Sequence, residues 1–124
     1  MNNTQTAKRC LVFFLVPEFT ILPFTAAIEA LRIANRMLGY EAYKWRLSSV
    51  DGNKVASSSG IEISVSTSLA DERRMLSGSN RPSMALICSG INVESFNGKS
   101  TIANLKLQTI KVRFLMSFRS IHII

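Results

Sequence analysis

The first hydrophobic segment of the chain is a continuous run. Residues 9–16 are rich in Val and Phe and end at Pro17, a length too short for a helix. A continuous apolar run predicts a strand that is buried on both faces, as in a parallel sheet. Thr20 can cap the helix that follows, and Pro23 suits its first turn. Apolar residues then recur at helical spacing up to Gly39. The order strand, tight turn, amphipathic helix is half of a βαβ unit.

Two alternating segments come next. Residues 43–48 alternate apolar and polar side chains and end at an Asp51-Gly52 turn signal, which predicts a half-buried strand. Residues 61–65 alternate in the same way. The spacing favours a hairpin in which these two strands pair at the edge of the sheet.

A short helix and a second apolar run follow the alternating segments. Ser68 with Asp71 three residues later is a helix-start signature, and the helix should end near Gly78. Residues 84–88 form another short apolar run, which predicts a second interior parallel strand. Its carboxyl end should neighbour that of the first strand. Residues 101–112 show a weaker helical pattern, and the remainder shows no clear period.

The length and composition of the chain indicate one domain with a hydrophobic core. The chain has 124 residues, 47% of them hydrophobic, and two cysteines. These values exclude a disordered chain, a disulfide-dense secreted scaffold and a four-ligand zinc site. The longest apolar run has seven residues, whereas a membrane-spanning helix needs about 20, so no membrane segment is predicted. Lys8 and Arg9 before this run resemble a signal peptide, but Glu18 interrupts the apolar region, and a cytoplasmic location is favoured.

The net charge of +7 is unevenly distributed along the chain. Residues 99–124 contain five basic residues and no acidic residue. This shift in composition indicates a boundary. No helix-turn-helix pattern surrounds the basic residues, so no direct DNA contact is predicted from this chain.

Candidate chemistry lies in the loops that follow the two apolar strands. In an open α/β sheet, ligands bind beyond the carboxyl ends of the strands. The alternative interpretation is that these loops supply only the turn chemistry that any α/β fold needs. The candidate ligand-binding residues are Pro17, Glu18, Phe19, Thr20, Cys88, Ser89, Gly90 and Asn92.

Cys88 is the one candidate nucleophile, because a thiol at a strand end can ionise beside a helix N-terminus. It lacks a predicted partner, since His122 is the single histidine and lies in the unpatterned tail. Leu86 also occupies the position where a nucleophile elbow requires glycine. Cys88 is therefore interpreted as a core or pocket-lining residue. No metal-ligand cluster or phosphate-binding loop appears, and no cofactor or metal is predicted.

Several segments together, in order and spacing, resemble one family. The resemblance is to the N-terminal domain of GlxA-type transcriptional regulators of the AraC family. It implies a class I glutamine amidotransferase-like (ThiJ/PfpI-like) domain, which is a three-layer, flavodoxin-like α/β fold. The segments are Leu-Val-Pro-Glu-Phe at 15–19, Leu-Arg-Ile-Ala-Asn-Arg at 31–36, Tyr-Lys-Trp-Arg-Leu-Ser at 43–48, Asp-Gly at 51–52, Ala-Ser-Ser-Ser-Gly at 56–60 and Ile-Cys-Ser-Gly at 87–90.

The resemblance implies a sensor that binds a small-molecule effector, such as an amino acid or a quaternary amine, without turnover. DNA binding in that family belongs to a C-terminal helix-turn-helix domain, which is not expected within these 124 residues. Enzymes of the superfamily carry an assisting acid that would fall near Pro23, so this acid is absent. We therefore expect no enzymatic activity.

The resemblance also predicts a domain division. Residues 1–8 are expected to be a disordered N-terminus, and residues 9–105 a partial sensing domain that is incomplete in its C-terminal half. Residues 106–124 form an atypical tail, which a frameshift or premature stop would explain. Two alternatives remain open: a stand-alone module that pairs with a full-length relative, and a ThiJ/PfpI-type hydrolase using Cys88. A homo-oligomer is also an open expectation.

Overall fold

A computed structural model describes residues 8–90 and 120–124. These residues form a five-stranded parallel sheet, a two-stranded antiparallel ribbon and two helices. The predicted helix at 101–112, most of the predicted tail and nearly all of the predicted disordered N-terminus lie outside the described residues. The elements are β1 (Arg9–Leu15), α1 (Ile21–Leu38), β2 (Tyr43–Ser49), β3 (Val55–Ala56), β4 (Glu62–Ile63), β5 (Thr67–Ser68), α2 (Leu69–Met75), β6 (Met84–Cys88) and β7 (Ser120–Ile123).

Strand β1 lies at the centre of the sheet and is covered on both faces. Its alternate residues Leu11, Phe13 and Leu15 belong to the larger core cluster, against which apolar residues of α1 pack. Val12 and Phe14 belong to a second cluster that contains Leu69 of α2. Because successive side chains point to opposite faces, a strand between two helical layers needs apolar residues at every position. The predicted three-layer architecture is confirmed.

The strand order places the loops after β1 and β6 at the topological switch point of the sheet. The order is β5-β2-β1-β6-β7. If the two-residue β5 is set aside, the long strands follow the chain order 2-1-3-4, which is the flavodoxin-like arrangement. The chain continues from β1 to one side and later returns to the other side at β6. The carboxyl ends of β1 and β6, where ligands bind in such sheets, are therefore adjacent.

The two helices begin where the sequence predicted, with different capping. Ser68 accepts a hydrogen bond from the backbone N–H of Asp71 (3.1 Å), and the Asp71 carboxylate accepts one from the backbone N–H of Ser68 (2.9 Å). This reciprocal capping box confirms the predicted start of α2. Thr20 occupies the N-cap position of α1, but its side chain makes no capping hydrogen bond. Gly39 ends α1 in the left-handed conformation (φ 80°), which glycine adopts without steric cost.

The predicted hairpin between residues 43–48 and 61–65 is wrong. Strand β2 lies inside the sheet and pairs in parallel with β1 and β5, whereas β4 pairs with β3. The polar side of β2 looked like a solvent-facing side, but α2 covers it. Arg46 on this side forms an ion pair with the buried Glu72 of α2, and Ser48 donates a hydrogen bond to the carbonyl of Thr67. The polar residues on this side of β2 have buried partners, so β2 shows the same alternating sequence pattern as a strand with one solvent-exposed face.

The end of the chain adds a strand that the sequence pattern did not indicate. Strand β7 pairs in parallel with β6, from Met84 opposite Ser120 to Ile87 opposite Ile123. The backbone of Ile124 continues the contact, since its N–H donates to the carbonyl of Ile87 (2.8 Å). Among the described residues, neither helix has the length and apolar character needed to cross a membrane.

Candidate functional site

The two candidate loops are in direct backbone contact. The N–H of Val16 donates to the carbonyl of Cys88, and the N–H of Thr20 donates to the carbonyl of Ser89, both at 3.0 Å. The expected neighbourhood of the two strand ends is therefore confirmed. Asn92, the last of the candidate residues, lies outside the described residues.

Glu18 forms the tight turn between β1 and α1 in a conformation that is unusual for its residue type. Its φ of 68° lies in the left-handed region, where a residue other than glycine is strained. Three contacts hold it there. The N–H of Glu18 donates to the carbonyl of Ala56 (2.9 Å), and the N–H of Ser58 donates to the carbonyl of Phe19, the next residue (2.9 Å). Gly90 packs against the carbonyl of Glu18. The β3–β4 ribbon and the loop after β6 thus fix the Glu18 turn from both sides.

A cavity of about 230 Å³ opens beside this turn, at the carboxyl ends of β1 and β2. Its walls come from the Glu18 turn, from the end of β2 and from the start of the β3–β4 ribbon. Most of the wall is apolar, with charged groups at three positions. The lining residues are Leu15, Pro17, Glu18, Ser49, Val50, Asp51, Lys54, Val55 and Ala56.

The three charged groups of the cavity differ in how they are paired. The Asp51 carboxylate accepts hydrogen bonds from the backbone N–H of Asn53 (3.0 Å) and from its side-chain amide (3.1 Å), and these bonds lower the pKa of Asp51. Lys54 forms an ion pair with Glu62 at 3.4 Å. Within the described ranges, the Glu18 carboxylate has no hydrogen-bond or ion-pair partner. In this part of the chain, the Glu18 carboxylate is therefore an acceptor that no protein group uses.

The structure distributes the described site residues that the sequence predicted over three environments. Pro17 and Glu18 line the cavity. Phe19 is fully buried and contacts Phe24 edge to face, with ring centroids 5.5 Å apart, so it shapes the turn from below. Cys88 is also buried in the core. Thr20, Ser89 and Gly90 lie on the opposite side of the turn, where they hold its backbone, and ligand binding by them stays a prediction.

Sequence reasoning missed the wall formed by residues 49–56. The available signal was the Asp51-Gly52 turn, because it follows β2 and a parallel β2 ends at the same edge as β1. The mistaken antiparallel pairing of β2 removed this turn from the expected ligand edge. The cavity therefore lies on the β2 side of the Glu18 turn, away from the β6 side.

We expect Cys88 to be chemically inert in the folded chain. Burial raises the pKa of its thiol to about 12, so the thiol stays protonated at neutral pH. In a Cys10→Ser background, alkylation of Cys88 by iodoacetamide at pH 7.5 should be about 1000-fold slower in the folded chain than in urea. The matched Cys88→Ser variant reports the rate of the half-buried Cys10. A native rate for Cys88 equal to that in urea would instead indicate an accessible thiolate.

The fold and the cavity define a doubly wound α/β domain with a small-molecule-sized site beside its central strand. Comparison with known proteins finds transcriptional regulators. The chain is 28% identical over 105 residues to the HTH-type transcriptional regulator GbdR of Pseudomonas aeruginosa, which covers 83% of this chain and 26% of that protein. It is 39% identical over 51 residues to the HTH-type transcriptional regulator CdhR of the same species, covering 41% of this chain and 15% of that protein.

A solved structure agrees with these relatives. The AraC family transcriptional regulator from Pseudomonas putida superimposes with a TM-score of 0.55 and 25% identity, over 67% of this chain and 41% of that one. No protein-family model matches the chain. The resemblance to AraC-family regulators is thereby confirmed, and the homologues are regulators. The chain spans about a quarter of the length of GbdR.

Proposed function

We propose that this chain is the ligand-sensing, N-terminal part of an AraC-type transcriptional regulator and that it binds a small metabolite without turnover. The observation that carries the proposal is the cavity beside the strained Glu18 turn, at the ligand-binding edge of the sheet. Regulator homologues that are about four times longer than the matched segment support the assignment to one part of such a protein. DNA contact and a cytoplasmic location are then properties of the whole regulator.

The cavity favours a small ligand with a cationic group and an apolar body. Its volume of about 230 Å³ is below the range of about 300–1,000 Å³ that drug-sized ligands occupy. Glu18 supplies a carboxylate without a partner among the described residues, and Val50 and Val55 supply apolar wall. An amino acid or a quaternary amine combines these properties, since both carry a positive nitrogen on a short carbon skeleton.

Binding without turnover agrees with the state of Cys88. A thiol whose pKa is raised to about 12 by burial is a poor nucleophile at neutral pH. The thiol is also 1% exposed, so a substrate has no access to it. A nucleophile elbow at Cys88 would require glycine at position 86, and Leu86 occupies that position, which also argues against Cys88 as a nucleophile.

Removing the Glu18 charge should weaken ligand binding. We expect Glu18→Gln to reduce the affinity for trimethylglycine or glycine, whichever the chain binds, by about 10-fold or more, because one charge-assisted contact is lost. Isothermal titration of the chain with each compound measures this effect. Glu41→Gln, which changes an exposed carboxylate paired with Lys8, is the matched control and should leave the affinity unchanged. Equal affinities for the native chain and Glu18→Gln would contradict the assigned role of Glu18.

A further inference from the structure

Lys54 is the one cationic residue among the described residues that line the cavity beside Glu18. Its Nζ lies 3.4 Å from Oε2 of Glu62, and the two side chains are 67% and 59% exposed. A charge-assisted hydrogen bond is shorter than this, at about 2.7–2.9 Å. An exposed pair at this distance contributes little to stability, because water solvates both charges. Lys54 can therefore exchange Glu62 for another anion at little cost.

The β3–β4 ribbon carries Lys54 and Glu62 on the same face. Its other face bears the paired residues Val55 and Ile63, which belong to the larger core cluster or pack against it. Side chains alternate along a strand, so Lys54, which directly precedes Val55, lies on the face away from the core. Glu62 lies on that face as well, opposite Ala56. The core contacts thus fix the ribbon backbone, while the long side chain of Lys54 can turn between Glu62 and the cavity.

Glu18 and Lys54 lie on either side of Ala56 in the wall of the cavity. The N–H of Glu18 donates to the carbonyl of Ala56 at 2.9 Å. Lys54 precedes Ala56 by two residues, a distance of about 6–7 Å along an extended strand. A residue with an acidic side chain and one with a basic side chain therefore line neighbouring parts of one cavity of about 230 Å³. A ligand small enough to fit this cavity can contact both residues at once.

Asp51, the third charged residue of the cavity, is hydrogen-bonded within its own loop. Its carboxylate accepts hydrogen bonds from the backbone N–H and the side-chain amide of Asn53, at 3.0 and 3.1 Å. The hydroxyl of Ser49 donates a further, longer bond of 3.4 Å. Lys54 pairs with Glu62 instead, although Asp51 lines the same cavity. A ligand anion that meets Lys54 therefore competes with Glu62 and not with Asp51.

We propose that Lys54 makes the site specific for zwitterions: on binding, its ammonium leaves Glu62 and pairs with an anionic group of the ligand, while Glu18 pairs with the cationic group. Two opposite charges in one cavity match a ligand that carries both. A simple amine cation meets only Glu18 and leaves Lys54 with Glu62. This inference rests on the proposed function and adds to it the residue that selects the second charge.

Isothermal titration with two matched pairs of compounds tests the role of Lys54. Glycine is compared with 2-aminoethanol, and trimethylglycine with choline, so that a hydroxymethyl group replaces the carboxylate while the cation is kept. The native chain should bind the zwitterion of at least one pair about 10-fold or more tightly than the alcohol. Lys54→Met should abolish this preference by weakening the zwitterion alone. Lys54→Arg keeps the positive charge and should retain most of the preference.

Glu62→Gln distinguishes a binding role of Lys54 from a structural one. Removing the competing carboxylate should raise the affinity for the zwitterion about 2- to 5-fold, whereas a merely structural ion pair would make Glu62→Gln as weak as Lys54→Met. Lys44→Met removes an exposed cation of β2 and should bind each compound as the native chain does.

The outcomes separate this inference from the proposed function. Equal native affinities for zwitterion and alcohol, a preference that persists in Lys54→Met, or weaker zwitterion binding by Glu62→Gln would overturn the role of Lys54. Each of these results still includes a bound ligand, so the proposed function would stand. No binding of any of the four compounds to the native chain would overturn both.

Discussion

Replacing Arg46 with Met should lower the free energy of unfolding by about 3–5 kcal/mol, because it leaves a carboxylate buried without its partner. The Glu72 side chain is fully buried and accepts two hydrogen bonds from Arg46, at 2.6 and 2.7 Å. Thr67 donates a third at 2.8 Å. This ion pair connects β2 to α2 across one face of the sheet, so its loss should loosen the layer that α2 forms.

Urea unfolding followed by circular dichroism measures this effect. The double variant Arg46→Met/Glu72→Leu should recover much of the lost stability, since an apolar pair of similar volume replaces a buried ion pair well. Lys54→Met removes one member of an exposed pair and should leave the unfolding midpoint unchanged. If Arg46→Met were as stable as Lys54→Met, the ion pair would not be the buried connection that the structure shows.

Replacing Gly90 with Ala should destabilise the chain by about 1–3 kcal/mol and displace the Glu18 turn. A Cβ atom at this position would lie well under 3.0 Å from the carbonyl oxygen of Glu18, a distance that real Cβ atoms do not show. The obstacle is backbone, so no side chain can rotate away to make room. Because the turn forms one wall of the cavity, ligand affinity should fall together with stability.

Gly78→Ala is the matched control for Gly90→Ala. A Cβ atom added at Gly78 would lie 3.8 Å from the carbonyl oxygen of Met75, which is an ordinary contact. The free energy of unfolding of Gly78→Ala should therefore differ from that of the native chain by less than about 0.5 kcal/mol. Equal stability of the two variants in urea would show that Gly90 does not pack against the Glu18 turn.

The sequence predicted those parts of the fold in which the local pattern of apolar and polar residues matches the burial of the element in the structure. The runs at 9–16 and 84–88 are apolar at consecutive positions because β1 and β6 are covered on both faces, and their pairing at the carboxyl ends follows. The start of α2 was predicted because Ser68 and Asp71 form their capping box from side chains close in sequence.

The parts that the sequence did not predict depend on contacts between distant residues. The partner of Arg46 lies 26 positions away in α2, so the polar side of β2 looked solvent-exposed. The cavity wall at 49–56 depends on the parallel pairing of β2, which that misreading concealed. The left-handed Glu18 has no sequence signal, since glycine usually occupies this conformation and the packing of Gly90 and Ala56 imposes it here.

We propose that this chain binds its effector in the cavity beside Glu18. A titration of the ¹⁵N-labelled chain with trimethylglycine and with glycine, followed by backbone amide chemical shifts, tests it most directly. We expect saturable shifts for at least one compound, concentrated at Glu18, Val50, Asp51 and Ala56, while amides of α2 stay unchanged. No saturable shift with either compound, or shifts confined to α2, would contradict it.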